Sequence, residues 1–323
     1  MRRREAAFTG VLLAAALLFV AAVLPLPAYL VMPGTAVDLS SAVLVASARA
    51  APHDRFFLTD VSLLRASPLR LAFALMPGVK VAPLDAIVPP GATQRSFTTA
   101  MERAMTQSQT VAAVLGERAA GYPVALPRAA VEIESVAPAS LGRGRLLAGD
   151  VIERVGAQPI RAAGDVRSAL RALAPGSVVT VRLRRAGRER LVVVRTVGLQ
   201  GRTRLGVVLT ARYASPRLAI PVRYATGDVG GSSGGLMMAL RIYDALHGSA
   251  SRAERRIAGT GTIALDGRVG PIEGTQQKLI AAKRAGARVF FVPRENYRDI
   301  SAERDVRVIP VATFGEAVRA LDG

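Results

Sequence analysis

The sequence predicts an α+β protein built from several domains. Three observations support this prediction: a long uncharged apolar run near the N-terminus, a central stretch of alternating β-type segments, and a C-terminal part in which helix and strand patterns alternate. With 323 residues the chain is long enough for two or three domains. Half of its residues are apolar, which is sufficient for the cores of such domains.

The N-terminus has the pattern of a membrane anchor. Three arginines at positions 2–4 precede an uncharged stretch whose first part, residues 6–24, is mostly apolar. A helix of that length is about 28 Å long, close to the hydrocarbon thickness of a bilayer. We therefore predict a cytoplasmic basic stub at residues 1–5, a single transmembrane helix at residues 6–25, and the rest of the chain outside the cytoplasm at the cell membrane. A cleaved signal peptide is the alternative interpretation.

The composition excludes several kinds of chemistry. The absence of cysteine excludes thiol nucleophiles, disulfides and thiolate metal sites. The two histidines, His53 and His247, lie far apart in sequence, so we expect no zinc site and no other metal or cofactor. Of 43 basic residues only Lys80, Lys278 and Lys283 are lysine, and none belongs to a Gly-Lys-Ser/Thr phosphate-binding loop. The others are arginines, which cannot act as a general base.

The net charge of +19 raises the question of nucleic acid binding. The arginines are spread along the chain among aspartate and glutamate, and they form no block with interleaved aromatic residues. We therefore predict no nucleic acid partner. Attraction to anionic lipid or to cell-surface polymers is an alternative use of this charge.

Residues 33–120 are interpreted as a membrane-proximal region of mixed structure. Residues 56–64 have a β-type composition, residues 69–75 could form a helix, and residues 96–115 are typical of one or two helices. These patterns do not predict a fold for the region.

Residues 121–198 predict a small module in which a helix packs against a partly open β-barrel. Residues 130–136 alternate as a strand, residues 165–173 form an amphipathic helix, and a hairpin turns at residues 186–187. The order A-P-A-S, L-x-A-G-D-V-I-x-x-V-G-x-x-P-I, helix and strand pair resembles a PDZ domain of the bacterial export type. The resemblance implies a groove that binds the C-terminal tails of peptides by strand addition, with its carboxylate loop near residues 121–124.

The densest glycine stretch, residues 227–235, contains Ser232 and Ser233 and leads into an apolar helix predicted at residues 236–246. Glycines let a substrate carbonyl approach the backbone, and the unpaired N–H groups at a helix N-terminus can stabilise an oxyanion. A serine in this turn is therefore a candidate nucleophile. An anion-binding nest without catalysis explains the pattern equally well at this point.

A serine nucleophile needs a base, which histidine or lysine could provide. His247 ends the apolar helix, where it suits the helix dipole, and His53 lies in a polar stretch near the N-terminus. The alternative is a Ser-Lys pair. Residues 274–286 predict a helix with Lys278 in its first turn, where the dipole and burial lower a lysine pKa, while Lys283 faces another side.

Four segments together resemble the proteolytic domain of Lon-type proteases. They are the glycine stretch, T-G-T-I-x-x-x-G-x-V-x-P-I, K-L-I-A-A-x-x-A-G, and V-P-x-x-N-x-x-D. The wider order of one N-terminal span, a PDZ domain and a Lon-type domain at residues 200–323, without an ATPase, is similar to the membrane-anchored PDZ-Lon family of bacteria. The resemblance implies a Ser-Lys dyad and a supporting set, which are Ser233 as nucleophile, Lys278 as base, Thr260 as the residue that steadies the lysine, and Gly231, Ser232 and Gly234 around the nucleophile.

Three residues depart from the pattern of that family. Ser232 stands where proline is common, Gly234 where alanine is common, and Glu273 replaces the first of two glycines before the lysine helix. Ser232 places a second hydroxyl beside Ser233. Glu273 could pair with Lys278 and raise its pKa, which would weaken the base.

These features give two hypotheses about function. The first is an ATP-independent, membrane-anchored serine endopeptidase that cleaves peptides or flexible protein segments, with the PDZ module binding their C-terminal tails. The second is a catalytically inactive adaptor or scaffold that uses the PDZ module at the membrane surface. The Lon-type resemblance also implies a homo-oligomer, because such domains tend to form rings.

Overall fold

The structure is a computed structural model that describes residues 2–46, 54–88, 94–126, 129–199, 201–227, 229–248 and 255–323. In the first helix it describes side chains at positions 12, 13 and 15–23. His53, which the sequence offered as one of two candidate histidine bases, lies outside the described residues.

The helices of the described residues are α1 (Arg2–Val23), α2 (Leu39–Ala42), α3 (Leu84–Ile87), α4 (Gln94–Ala119), α5 (Ala163–Leu170), α6 (Gly235–His247), α7 (Thr275–Arg284) and α8 (Phe314–Asp322), with 3₁₀ helices at Arg70–Leu75 and Arg294–Ile300. The strands are β1 (Ala28–Asp38), β2 (Val43–Val45), β3 (Arg55–Arg65), β4 (Lys80–Pro83), β5 (Ala129–Val136), β6 (Val151–Val155), β7 (Gln158–Pro159), β8 (Val178–Arg185), β9 (Arg188–Arg195), β10 (Val197–Leu199), β11 (Arg202–Arg204), β12 (Val207–Tyr213), β13 (Val222–Tyr224), β14 (Arg256–Gly259), β15 (Thr262–Ile263), β16 (Val269–Gly270), β17 (Val289–Pro293) and β18 (Arg307–Val311).

The larger sheet is mixed and has the order β18-β17-β14-β3-β1-β4. Strands β18, β17, β14 and β3 run parallel, while β1 is antiparallel to both β3 and β4. The apolar composition of β17 suits a parallel strand that is covered on both faces. The sheet joins residues 28–83 to the C-terminal strands, which the separate segments predicted at 33–120 and 200–323 did not anticipate.

Helices α4 and α6 pack closely against each other beside this sheet. Residues 96–115, predicted as one or two helices, lie in the single helix α4. The two helices approach at Gly116, where an added Cβ would come within 2.8 Å of Ile242. Helix α6 is buried along nearly its whole length, as its apolar sequence predicts.

The second sheet belongs to the small module predicted from the sequence. Its strand order is β12-β5-β6-β8-β9, with β7 paired to β6, and α5 lies beside β11 and β12. The predicted hairpin turns at Ala186 and Gly187, which both have positive φ angles, as a two-residue turn between right-twisted strands requires. Strand β12 forms one edge of the sheet.

Residues 121–124 were predicted to hold the carboxylate of a bound peptide. They do not lie at the end of the edge strand β12 that is next to β11 and α5. Residues 121–124 follow α4 and are bonded to it: Tyr122 donates its N–H to the Glu117 carbonyl, and Arg118 donates to the Val124 carbonyl. They precede β5, whose first residue pairs with the last residue of β12. Residues 121–124 are therefore connected to the strand that pairs with the last residue of β12, and the first residue of β12 lies at the opposite end of the strand.

The N-terminal helix α1 was predicted as a transmembrane segment at residues 6–25. Across the part of the chain that the structure describes, no helix combines the length and apolar character needed to cross a membrane. The structure therefore gives the transmembrane prediction no support.

Candidate active site

The loop before α6 places Ser233 next to the helix N-terminus. Gly234 is the N-cap residue and α6 begins at Gly235. Gly231 has φ of 87°, a conformation that favours glycine, and its N–H donates to the Met101 carbonyl of α4 at 2.9 Å. The glycine stretch is therefore held against α4, and Ser233 is half-buried at its end.

The glycines that flank Ser233 on its C-terminal side are closely packed. A Cβ on Gly234 would lie 2.4 Å from Leu58 Cδ1, and a Cβ on Gly235 would lie 2.5 Å from Ser108 Oγ. Alanine, which is common at the position of Gly234 in Lon-type domains, would clash here unless Leu58 moved. This departure from the family pattern follows from the packing of the neighbouring strand β3.

Lys278 lies on the inner face of α7 and is 4% exposed. Its Nζ lies 2.8 Å from Ser233 Oγ and 3.2 Å from Thr260 Oγ1. Helix α7 begins after Gly274, whose φ of 71° is a left-handed conformation that suits glycine. The structure therefore brings Ser233, Lys278 and Thr260 together at one point.

Thr260 is fully buried at the break between β14 and β15. Its hydroxyl donates to the Ser233 carbonyl at 3.1 Å, and the N–H of Gly261 donates to the same carbonyl at 2.7 Å. Because the hydroxyl hydrogen of Thr260 points to Ser233, its oxygen is an acceptor toward the lysine. Thr260 thus fixes both the backbone of the serine and the amine of Lys278.

Burial lowers the pKa of Lys278 from its usual value of 10.5 to about 8. The carboxylates of Asp60 and Glu273 oppose this shift by favouring the charged amine. Glu273 therefore acts in the direction that its sequence position suggested, but desolvation outweighs it. Among the described residues Lys278 forms no ion pair, so the amine faces two hydroxyls and no carboxylate in direct contact.

Among the described residues, neither of the other two lysines hydrogen-bonds to Ser233. Lys283 is on the outer face of α7, where it pairs with Glu303 at 3.1 Å and Asp305 at 2.5 Å, and these acids raise its pKa. Lys80 is exposed on β4. The separation of Lys278 and Lys283 on two faces of one helix agrees with their spacing in the sequence.

His247 lies at the opposite end of α6 from Ser233. A helix of this length separates its ends by roughly 20 Å, so His247 cannot reach the serine. Its ring stacks on Tyr243 with centroids 4.9 Å apart. Of the bases that the sequence offered and the structure describes, only Lys278 meets Ser233.

Backbone donors for an oxyanion remain at the start of α6. The N–H of Gly231 is already donated to Met101, so that predicted supporting residue is not a donor. Within the described part of the chain, the N–H groups of Ser233 and Gly234 have no hydrogen-bond partner. They precede the positive end of the α6 dipole, where a developing negative charge is stabilised.

Helix α4 contributes two contacts that the sequence did not indicate. Besides the Met101 carbonyl, Ser108 Oγ donates to the Ser232 carbonyl at 3.0 Å. Ser232 is thus bonded through its backbone to α4, while the hydroxyl of Ser233 meets the lysine. No local signal could reveal these contacts, because they join residues more than a hundred positions apart.

A second group holds the chain just before the lysine helix. Asn296 accepts a hydrogen bond from the Ile272 N–H and donates to the Ile272 carbonyl, both at 2.9 Å. Asp299 accepts from Thr275 Oγ1 at 3.1 Å. The N-x-x-D segment that contributed to the resemblance therefore fixes the start of α7, and with it the position of Lys278.

Comparison with known proteins identifies the C-terminal part of the chain. Residues 213–319 match the Lon protease (S16) C-terminal proteolytic domain. The Lon protease of Chloroflexus aggregans is 39% identical over 92 residues, which are 27% of this chain and 11% of that protein. The Lon protease of Campylobacter concisus is 40% identical over 95 residues, which are 28% of this chain and 12% of that protein. The match therefore spans only about a ninth of these relatives, and within it lies a serine-type peptidase domain.

Two solved structures are similar to part of the chain. The PDZ domain of the SdrC-like protein from Listeria monocytogenes has a TM-score of 0.23 and 16% identity, and the match covers 24% of this chain and 85% of that domain. The PDZ domain of the SdrC-like protein from Listeria innocua has a TM-score of 0.24 and 16% identity, and the match covers 27% of this chain and 98% of that domain.

Proposed function

We propose that this protein is an ATP-independent serine endopeptidase that cleaves peptides or flexible protein segments with Ser233 as nucleophile and Lys278 as general base. The observation that carries this proposal is the 2.8 Å contact between Lys278 Nζ and Ser233 Oγ in a site that lowers the pKa of the lysine to about 8. The S16 match at residues 213–319 supports the same reaction class.

The neutral amine has the hydrogen-bond geometry of a base. It donates one hydrogen to Thr260 Oγ1, and its lone pair then accepts the hydrogen of Ser233 Oγ. A pKa of about 8 leaves roughly a tenth of the amine neutral at pH 7, and more at higher pH. The nucleophile and its base are therefore already in contact before substrate binds.

The reaction proceeds by acyl transfer. Lys278 takes the proton of Ser233, the serine oxygen attacks the peptide carbonyl, and the N–H groups of Ser233 and Gly234 stabilise the oxyanion. Lys278 then returns the proton to the leaving amine. A water molecule, deprotonated by the same lysine, hydrolyses the acyl-enzyme and restores Ser233.

The test is covalent labelling of the full chain by a serine-reactive phosphonate probe, read by intact mass. We expect labelling of the wild type that increases between pH 7 and pH 9, and none in Ser233→Ala or Lys278→Ala. Ser232→Ala and Lys283→Ala are the matched controls and should be labelled like the wild type. A wild type that stays unlabelled at pH 9 would leave the adaptor or scaffold function as the better proposal.

We extend the proposal to substrate supply and location. The edge strand β12 and helix α5 offer a groove in which a C-terminal tail could add as a strand, and the chain carries no phosphate-binding loop for ATP. Cleavage of an unfolded casein-like substrate without nucleotide, at a rate that ATP does not change, tests this independence. We also propose a homo-oligomer, which sedimentation of the purified protein tests.

Residues 6–25 are proposed to hold the chain at the cell membrane, with the catalytic site outside the cytoplasm. Three arginines precede this segment, and α1 exposes large apolar side chains such as Leu17 and Phe19. After carbonate extraction of cells, we expect the protein in the membrane fraction and its C-terminal part open to added protease. Recovery in the soluble fraction would contradict the anchor but not the peptidase.

A further inference from the structure

The edge of the small module ends in a cavity lined by arginines. Strand β12 leaves one side free of strand pairing, and both α5 and α4 contact this strand. The short strand β11 precedes β12 in the chain. It brings Arg202 and Arg204 to the end of α5. The cavity of about 440 Å³ at this point is lined by Arg167, Arg171, Gly201, Arg202, Thr203 and Arg204.

The four guanidinium groups have no acidic partner in the described part of the chain. None of them forms an ion pair, and no acidic residue lines the cavity. The nearest acid in sequence, Asp165, accepts hydrogen bonds from the N–H groups of Arg161 and Ala162 and caps the start of α5. The cavity is therefore a concave site of unbalanced positive charge.

The α5 dipole explains only part of this arrangement. Arg167 and Arg171 lie at the C-terminal end of α5, where a positive charge is favourable. Arg202 and Arg204 gain nothing from that dipole, since they belong to β11, where Thr203 between them is bonded to the Leu173 carbonyl. Guanidinium groups that converge without a counter-charge suit a ligand with several carboxylates, which arginine binds through paired hydrogen bonds.

The position of the cavity fixes the direction of a peptide in the groove. A tail whose carboxyl end lies in the cavity, at the Val207 end of β12, must run antiparallel to β12 toward Tyr213. That path is about 23 Å long for the seven residues of the strand.

The far end of β12 is linked to α4, the helix that also contacts the loop of Ser233. There Glu132 pairs with Arg212 of β12 at 3.3 Å and with Arg103 of α4 at 3.7 Å. Two residues before Arg103, the Met101 carbonyl holds Gly231 beside the nucleophile loop. A peptide that is bound by its carboxyl end in the cavity would therefore extend its upstream residues toward α4, the helix whose Met101 holds the loop of Ser233.

From these observations we propose that the arginine cavity selects polypeptides whose C-terminal tails carry acidic side chains, and that β12 directs the chain upstream of the tail to the catalytic loop. The direction toward Ser233 rests on the proposed peptidase function. The selection of acidic tails does not, because it concerns binding alone and can be measured on a variant that cannot cleave.

The test uses the full chain with Ser233→Ala and fluorescent ten-residue peptides of one sequence that differ only at the end. One peptide ends in Asp-Glu-Glu, one in the isosteric Asn-Gln-Gln, and one in Asp-Glu-Glu with an amidated terminus. We expect the acidic free tail to bind at least about tenfold more tightly than the Asn-Gln-Gln tail, with a difference that shrinks as salt is added. The Asp-Glu-Glu peptide with an amidated terminus should bind more weakly than the same peptide with a free terminus.

Charge reversal shows whether the cavity is responsible. Arg171→Glu with Arg202→Glu should abolish the preference for the acidic tail and favour a tail ending in Lys-Lys-Lys. The matched control is Arg188→Glu with Arg190→Glu, which changes the charge equally on β9, at the opposite edge of the sheet. Thermal unfolding of each variant checks that the module is folded.

Equal affinity for tails with acidic and with amide side chains would overturn the proposal. An equal loss of the preference for the acidic tail in the cavity variant and in the β9 variant would also overturn it. The probe experiment on Ser233 has a separate outcome. If acidic tails bind selectively but the wild type is never labelled, the cavity assignment stands and the peptidase function fails. If the wild type is labelled but all tails bind alike, the reverse holds.

Discussion

The two faces of α7 place the same kind of side chain in opposite surroundings. On the inner face the Lys278 amine hydrogen-bonds, among the residues that the structure describes, to two hydroxyl groups and is nearly fully buried, and this burial lowers its pKa to about 8. Lys283 on the outer face is in water beside two carboxylates, which raise its pKa. The difference shows that little more than one turn of helix separates a lysine with a lowered pKa from one with a raised pKa.

Replacing each lysine by alanine should give the largest difference in activity between the inner and the outer face of α7. Lys278→Ala deletes the proposed general base, so kcat/KM for a fluorogenic peptide should fall by about a thousandfold or more. Lys283→Ala breaks only surface ion pairs, and its kcat/KM should stay within about twofold of the wild type. Similar losses in both variants would mean that α7 acts through its fold and not through the Lys278 amine.

Thr260 tests whether the inner face positions the amine as well as excluding water. Thr260→Val keeps the shape but removes the hydroxyl that accepts from Lys278 and donates to the Ser233 carbonyl, and we expect kcat to fall by about 10 to 100-fold with little change in KM. Thr260→Ser restores both hydrogen bonds and should recover most of the rate. A Thr260→Val enzyme with normal kcat would remove Thr260 from the mechanism.

The burial of Lys278 should also lower the stability of the folded state. Its folded pKa of about 8 lies below the unfolded value near 10.5, so the folded state carries a buried charge at pH 7 and becomes more stable as pH rises from about 8 to 10.5. The free energy of unfolding of Lys278→Met should therefore exceed that of the wild type by roughly 3 kcal/mol at pH 7. This difference should decrease toward zero as the pH approaches 10.5.

Urea unfolding at pH 7, 9 and 10 measures this gap. Lys283→Met is the control, because its raised pKa gives the opposite sign: the lysine stabilises the fold below its unfolded pKa and stops doing so as pH rises through the folded pKa. A Lys278→Met variant that is less stable than the wild type at pH 7 would show that the amine is not a desolvated charge.

The smallest expected effect concerns the acids around each lysine. Asp60→Asn and Glu273→Gln remove charges that favour the protonated amine, so each should lower the pKa of Lys278 further. The acidic limb of the pH dependence of kcat/KM should move to lower pH, more for Asp60 than for Glu273. Asp305→Asn, beside Lys283, should leave the limb unchanged, and a limb that moves upward in Asp60→Asn would contradict the assignment to Lys278.

Much of the local structure could be predicted from sequence patterns. The apolar composition of α6, the hairpin at Ala186 and Gly187, and the helix that precedes Gly286 each rest on periodicity or on turn chemistry within a short window. The sequence also favoured Lys278, because only three residues of the chain are lysine and the spacing of two of them puts them on different helix faces. Its role as the base was implied by the resemblance to Lon-type domains.

The tertiary structure decided what these elements do together. Strand β3, from a region whose fold the sequence did not predict, lies next to β14 and supplies both Asp60, which favours the charged lysine, and Leu58, which excludes a side chain at Gly234. Helix α4 fixes the serine loop from more than a hundred residues away. These contacts leave no mark within a short window of sequence, since each depends on which strands pair and which helices pack.

The sequence by itself determined which side chains could do chemistry here: a serine in a glycine turn, and a base among two histidines and three lysines, because the arginines cannot give up a proton. Only the tertiary structure decided which of these side chains meet and in what surroundings. A lysine pKa depends on how much water and which charges surround the amine, and four arginines become one site only when α5 and β11 meet. Desolvation and charge convergence are properties of packed surfaces, which no single segment of the chain contains.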